Sequence, residues 1–356
     1  MGNSESNDVS TGHRRIRKAI SLHNLAKPKS KDVLKGKVEP IRQTDSYLDG
    51  INGSLFAPRV PTAFTPEFQF RSDISSCDFQ LKSKLGEGTF STVYKALWLN
   101  NKNAIVAIKI QNKDIILEKN AEKQIKRESA IHKLLSESIY IPKFFECWQT
   151  ATHLFSVMQC VDGIGDLYTL WQHTGCFSED AIRIYAAEIG LALDYLQNRH
   201  VVYRDLKLEN VALDSRRHIK LIDFGFSRCL EPGERAMTIC GTLQYMAPEV
   251  ATSTDYGFEV DWWCYGVVLY VLSESEYPFP NGDVNVHTDL TYSSEVSFTR
   301  ATSELASLIA KLLHLDPNLR LSCLSELMRQ PLFPPTFSFE SVQKYDIDPV
   351  KSEDSS

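Results

Sequence analysis

A chain of 356 residues that is 43% hydrophobic and 24% charged has enough apolar material for a substantial core and the charge of a soluble globular protein. No apolar run approaches the roughly 20 residues of a membrane-spanning helix and no hydrophobic leader follows Met1; the eight cysteines stand singly, without a CxxC pair, and read as reduced thiols of a cytosolic protein. The formal charge of −6 hides an asymmetry, because residues 1–43 hold ten Lys/Arg against four Asp/Glu, a net of +6 that leaves −12 for the remainder.

Residues 1–43 are polar and basic, lack a helical or strand period, and read as a disordered segment. Met1-Gly2-Asn3-Ser4-Glu5-Ser6 fits the N-myristoylation pattern, with Gly2 as acceptor and Ser6 as the favoured small hydroxyl. One acyl chain binds membranes only marginally. The run His13-Arg14-Arg15-Ile16-Arg17-Lys18 and the lysines at 27, 29, 31, 35 and 37 could add about 1 kcal/mol per cation on an anionic leaflet. The expected location is therefore cytoplasmic, at the cytoplasmic face of a membrane. A solvated tail, a nuclear-targeting patch and a nucleic-acid tether compete for the same charges, but no nucleic-acid partner is expected. Ser21 could be phosphorylated to weaken the electrostatic part.

Residues 44–78 form a linker in which Pro58, Pro61 and Pro66 alternate with Phe56, Phe64, Phe68 and Phe70. Such a segment suits extended docking on a folded domain. Regular order is expected from Phe79, where FQLKSKLGEGTF, STVYKALWL and IVAIKIQ alternate as three strands. A helix is expected over about 120–135, and HLFSVMQCV supplies a further strand or two. From Asp180 the period becomes helical, with Ile182, Tyr185, Ala186, Ile189, Leu193 and Leu196 on one side, and Asp261 to Leu272 is apolar nearly all round, as in a buried helix.

Gly86-Glu87-Gly88-Thr89-Phe90-Ser91-Thr92-Val93 lies between two expected strands, where small residues let backbone N–H groups approach an anion. By itself this is no more than a Gly-rich hairpin. It gains meaning from Val106-Ala107-Ile108-Lys109, because a lysine inside an apolar strand needs an anionic partner to offset desolvation. Phosphate oxygens and the Glu128 carboxylate are the candidates. The strongest signal is Tyr203-Arg204-Asp205-Leu206-Lys207-Leu208-Glu209-Asn210, followed by Leu221-Ile222-Asp223-Phe224-Gly225. Phosphoryl transfer demands positioned charges, and Asp205, Lys207, Asn210 and Asp223 supply them within one short region.

Residues 79–335 resemble the eukaryotic protein kinase family, which implies an α+β bilobal fold with a small β-rich N-lobe, one main N-lobe helix and a larger helical C-lobe. Residues 336–356 are then a short C-terminal tail. The resemblance implies that Lys109 pairs with phosphates of ATP and with Glu128, that Asp205 receives the substrate hydroxyl proton, that Lys207 steadies the γ-phosphate, and that Asn210 and Asp223 hold Mg2+. The ATP site would be lined by Leu85, Gly86, Glu87, Gly88, Thr89, Phe90, Val93 and Ala107. Met158 would be the gatekeeper, Gln159 and Val161 would supply hinge backbone groups, and Asp166 would reach the ribose. Tyr203 and the run Thr238-Ile239-Cys240-Gly241-Thr242-Leu243-Gln244-Tyr245-Met246-Ala247-Pro248-Glu249 resemble the AGC group, and LYTLWQHTGCF its ribosomal-protein-kinase-related branch.

The same resemblance implies protein substrates phosphorylated on Ser/Thr, with Thr242 and Glu209 on the substrate side. It also implies an upstream kinase acting on Thr238, whose phosphate could pair with Arg204. Glu249 with Arg320 looks like the family's internal ion pair, and Asp261 like the brace of the catalytic loop. Two departures stand out. Ser91 replaces the third glycine of the phosphate loop, and the sequence after Arg320 shows no aromatic FxxF-type motif of the kind that fixes the Glu128 helix in AGC kinases. The Phe-rich residues 56–70 or a partner protein are expected to supply that aromatic. The rival reading, a pseudokinase scaffold without turnover, is opposed by the complete set Lys109, Glu128, Asp205, Asn210 and Asp223.

Overall fold

The structure is a computed structural model and describes residues 61–279, 291 and 296–349. Gly2 and the basic segment lie outside the described residues. The chain divides into two compact units, one reaching Val161 and the other starting at Asp162.

The first unit is built on a five-stranded antiparallel sheet of order β1-β2-β3-β5-β4. Its strands are β1 (Phe79–Glu87), β2 (Ser91–Trp98), β3 (Ala104–Asn112), β4 (Phe144–Gln149) and β5 (His153–Gln159). Alternation along β3 sends Val106, Ile108 and Ile110 into a core with Phe79, Leu81, Trp148, Phe155 and Val157, so Ala107 and Lys109 fall on the other face. Trp148 stacks between Phe79 and Phe155, with centroids 5.6 and 4.7 Å away. Two helices follow β3: α1 (Lys113–Glu118), capped by the Asn112 side chain, and α2 (Glu122–Leu135), which carries Glu128.

Packed structure also lies upstream of the first strand. Pro61–Phe64 form a 3-10 turn, and Phe64 and Phe68 are buried against Ile116, Ala121, Ile125 and Leu154. A proline-interrupted stretch has neither a 2.0 nor a 3.6 period, so its burial cannot be read from spacing.

The second unit is mainly helical. Helix α3 (Leu167–Thr174) follows the short strand β6 (Gly165–Asp166), and α4 (Glu179–Gln197) packs on α6 (Glu259–Glu274), which is buried around its whole circumference as its composition requires. Between them lie β7 (Val201–Val202), β8 (Val211–Leu213), β9 (Ile219–Leu221), β10 (Arg228–Cys229) and α5 (Pro248–Ala251). After α6, α7 (Ser303–Leu312) packs against it, and α8 (Leu324–Leu327) and α9 (Phe339–Gln343) pack against α4. The residues after α9 are held too: Tyr345 stacks on the buried His218 at 3.9 Å, and Asp348 pairs with Arg216. The α+β fold, with a sheet-based first part and a helical second part, agrees with the expectation from sequence.

Candidate active site

In the first unit, cross-strand register collects one set of candidates on one face. Val93 opposes Lys109, and Ala107 opposes Met158; since cross-strand partners and i, i+2 neighbours share a face, all four lie together. The Lys109 ammonium forms an ion pair with the Glu128 carboxylate, with both side chains about 15% exposed. The glycine-rich turn closes through the Gly88 N–H donating to Ser91 O at 2.8 Å, and a Cβ added at Gly86 would meet no atom within 4 Å. Ser91 therefore serves the turn with its backbone. Leu85 is exposed at an irregular step in the β1–β2 register, next to Gly86. Glu87 pairs with Lys84, and Thr89 is exposed at the tip. Phe90 instead turns toward the cluster containing Phe64 and Phe68.

In the second unit, the loop between β7 and β8 is fixed from below by Asp261, whose carboxylate accepts the N–H groups of Tyr203 and Arg204 at 2.8 and 2.7 Å. On this support the Asp205 side chain, 1% exposed, gathers three donors. Its Oδ2 accepts from Lys207 Nζ and from Asn210 Nδ2, each at 2.8 Å, while Oδ1 accepts from Thr242 Oγ1 at 3.0 Å. Lys207 Nζ also donates to Thr242 Oγ1 at 3.0 Å, which closes the network. Contact between the two segments is close: Gly241 has φ +98°, and a Cβ there would come within 2.6 Å of the Arg204 carbonyl oxygen.

The Asn210 amide nitrogen also donates to the Asp205 carbonyl at 2.8 Å, so its remaining donor atom for a ligand is the amide oxygen. Asp223 follows β9, sits at φ +63°, and accepts the Gly225 N–H at 3.1 Å. One carboxylate and one amide oxygen fit a hard divalent cation that keeps waters and takes phosphate oxygens. They would not make an all-protein cage, and among the described residues no cluster of three or more His, Cys, Asp or Glu forms one.

The protein kinase domain family matches residues 79–333. The chain belongs to that family. Kinases of this family use ATP and a divalent metal, and the residues above have the chemistry for both.

Similar proteins lie in the same family. The chain is 40% identical over 288 residues to a Caenorhabditis elegans protein whose name calls it a serine/threonine-protein kinase, covering 81% of this chain and 65% of that protein. It is 36% identical over 278 residues to the human ribosomal protein S6 kinase-related protein, covering 78% and 67%. Against the RAC serine/threonine-protein kinase of Drosophila melanogaster it is 40% identical over 265 residues, covering 72% and 42%. The chain thus spans about two thirds or less of the length of these relatives. They include a protein named as ribosomal protein S6 kinase-related, in line with the branch that the run LYTLWQHTGCF resembles.

Other kinase-motif residues have definite surroundings. Gln159 donates its N–H to Lys143 O at 2.8 Å, and Val161 is half-buried at the end of the first unit. Asp166 caps α3 by accepting the Thr169 N–H at 2.7 Å. Glu209 is largely buried, its Oε2 has no hydrogen-bond partner, and desolvation raises its carboxyl pKa. Thr238 is exposed, and its carbonyl accepts from Tyr256 OH at 2.6 Å; the same hydroxyl accepts from Arg204 Nη1 at 3.1 Å. Arg204 thus reaches the activation segment through Tyr256, a residue no sequence motif singles out. Glu249 and Arg320 form a bidentate pair at 2.6 and 3.1 Å, and the Arg320 guanidinium lies 5.0 Å from the Trp263 ring centre.

Proposed function

We propose that the protein is a serine/threonine kinase that transfers the γ-phosphate of ATP to Ser/Thr hydroxyls of protein substrates. The observation that carries this reading is the Asp205 network. Lys207 and Asn210 hold one oxygen of the carboxylate, which fixes the other beside Thr242, where a substrate hydroxyl can be oriented and its proton accepted. Lys207 lies within reach of both Asp205 and Thr242 and steadies the transferred phosphoryl group. Lys109, kept in place by Glu128, pairs with the nucleotide phosphates. Leu85, Val93, Ala107 and Met158 surround the base, while backbone groups of Gln159 and Val161 and the Asp166 carboxylate orient the nucleoside. Asn210 and Asp223 would hold Mg2+, which when bound would neutralise phosphate charge.

Glu209 supports a preference for basic residues before the target Ser/Thr, since an arginine would satisfy its unpaired buried oxygen. Phosphorylation of Thr238 by an upstream kinase would add about −1.5 to −2 charge on a residue two hydrogen bonds from Arg204, through Tyr256, ordering the segment. Gly2 acylation with the basic segment would tether the enzyme to an anionic membrane surface. Imaging of Gly2→Ala checks that part: release from membranes is expected, and an unchanged distribution contradicts it.

A peptide array comparing wild type with Asp205→Asn tests the reading. Loss on the order of 100-fold or more is expected for the variant on Ser/Thr peptides. Equal signals assign the activity to a contaminant, and no signal from either returns the chain to the scaffold reading.

A further inference from the structure

One buried titratable couple takes no part in the chemistry proposed above. His218, at the turn joining β8 to β9, is 0% exposed, and so is the Glu188 side chain of α4 packed against it. Glu188 Oε1 meets His218 Nδ1, and Oε2 accepts the Ile219 N–H at 3.0 Å, so both oxygens of this carboxylate are engaged. The other ring nitrogen, Nε2, lies 3.2 Å from Asp348 Oδ1. Asp214 in the turn serves the backbone of His218 rather than its ring, accepting the His218 N–H at 3.0 Å.

The segment after α9 covers the couple. Tyr345 stacks on the imidazole at 3.9 Å, and Lys220 Nζ of β9 lies 5.7 Å from the centre of the tyrosine ring. Arg216 fastens the segment at two points, donating from Nη2 to Tyr345 O at 2.7 Å and from Nε to Asp348 Oδ1 at 2.9 Å. Tyr345 has φ +55°, a conformation that tyrosine seldom adopts, so side-chain contacts must hold the chain in this turn.

The proton count of the site follows from its acceptors. Each ring nitrogen faces a carboxylate oxygen, and an ionised carboxylate only accepts. A neutral imidazole has a single N–H and turns a lone pair toward one of the two. Both contacts are satisfied only when the couple holds one further proton, on the ring or on Glu188, whose carboxyl pKa burial raises against the His218 and Ile219 contacts. Burial opposes the Asp348 charge, but Arg216 and then His218 outweigh it and hold that carboxyl below its ordinary range. When the extra proton leaves, buried Glu188 keeps the remaining N–H on Nδ1, and the Nε2 lone pair is set against Asp348. Asp348, on the outer side, is the partner that can withdraw.

We propose that residues 344–349 are a proton-dependent latch, closed over the His218–Glu188 couple while the couple holds its extra proton and opened when that proton leaves. The latch does not rest on the kinase reading. Closure favours the protonated couple, so it is complete at low pH and is lost as pH rises. A single proton sets the limit, up to tenfold in the closing equilibrium per pH unit.

The test is hydrogen exchange of the full chain at 344–349, corrected for the intrinsic pH dependence of exchange, from about pH 6 to about pH 9. Wild type should lose protection across that range with a slope approaching tenfold per unit, while α6 stays unchanged. Asp348→Asn isolates the proton: an amide can accept from an N–H or donate to a lone pair, so the segment should stay docked with a slope near zero. Tyr345→Ala removes the stacking and leaves the charges, and should lower protection at every pH with the wild-type slope retained. Protection of the wild type that does not change with pH overturns the proposal. So does an Asp348→Asn slope equal to that of the wild type, or loss of the slope in Tyr345→Ala alone.

Discussion

Asp205 is held by donors from its own loop and from a segment 37 residues further on, Lys207 and Asn210 from the first and Thr242 from the second. Removing one partner of a buried carboxylate leaves the others competing for its geometry. Thr242→Ala should therefore lower kcat about tenfold or more while leaving the KM for ATP nearly unchanged, the pattern of an interaction realised at the transition state. Equal damage to both constants in steady-state assays would argue against that role. At Glu209 the expected split is reversed. Glu209→Gln keeps the volume and removes the charge, so KM should rise about tenfold for peptides with arginine before the target and stay flat for peptides without it. A uniform change across both peptide sets would remove Glu209 from substrate selection.

At the scale of elements, helix α2 and the Gly241 contact carry the clearest tests. His132 of α2 is buried and donates from Nε2 to Pro142 O at 2.7 Å, and burial pushes its pKa down to about 4. The ordinary histidine value is about 6.5, so between those limits the unfolded chain binds a proton that the folded one refuses, and stability falls as pH drops. Integrated over that window the loss approaches about 3 kcal/mol at pH 4. Urea titrations from pH 7.5 to 4.5 should show it, and a His132→Gln variant should show a flatter decline; parallel curves would contradict the assignment. Gly241→Ala forces a side chain onto a positive φ and against the Arg204 carbonyl. A cost of about 1–3 kcal/mol of strain is expected, expressed as loss of turnover with the rest of the fold intact by circular dichroism.

For the whole molecule, the sequence disclosed what is encoded by short-range pattern. Strand alternation placed Lys109 on the face opposite the core, and the all-round apolar run marked α6 as buried. Asp205, Lys207 and Asn210, which the sequence groups in one short region, are hydrogen-bonded to one another, because a loop so short brings its own side chains together. What spacing could not give are contacts between distant segments without a periodic signature. Phe64 and Phe68 lie among prolines, Tyr256 is a single tyrosine that links Arg204 to Thr238, and Tyr345 covers His218. The Phe-rich stretch invited a docking expectation, but its partners, Lys126, Gln149 and Ile125, became visible only in three dimensions. The two kinds of information meet at Glu128, whose identity is a matter of sequence and whose position is a matter of packing.

The central claim is that this chain is itself a phosphotransferase working through Asp205. The most direct measurement is single-turnover transfer of label from γ-labelled ATP to a Ser/Thr-containing protein substrate, followed by phosphoamino-acid analysis. Wild type should place the label on serine or threonine, and Asp205→Asn should do so at a rate lower by about 100-fold or more with ATP binding retained. Label on tyrosine, equal rates for both proteins, or ATP binding without any transfer by the wild type would contradict the account.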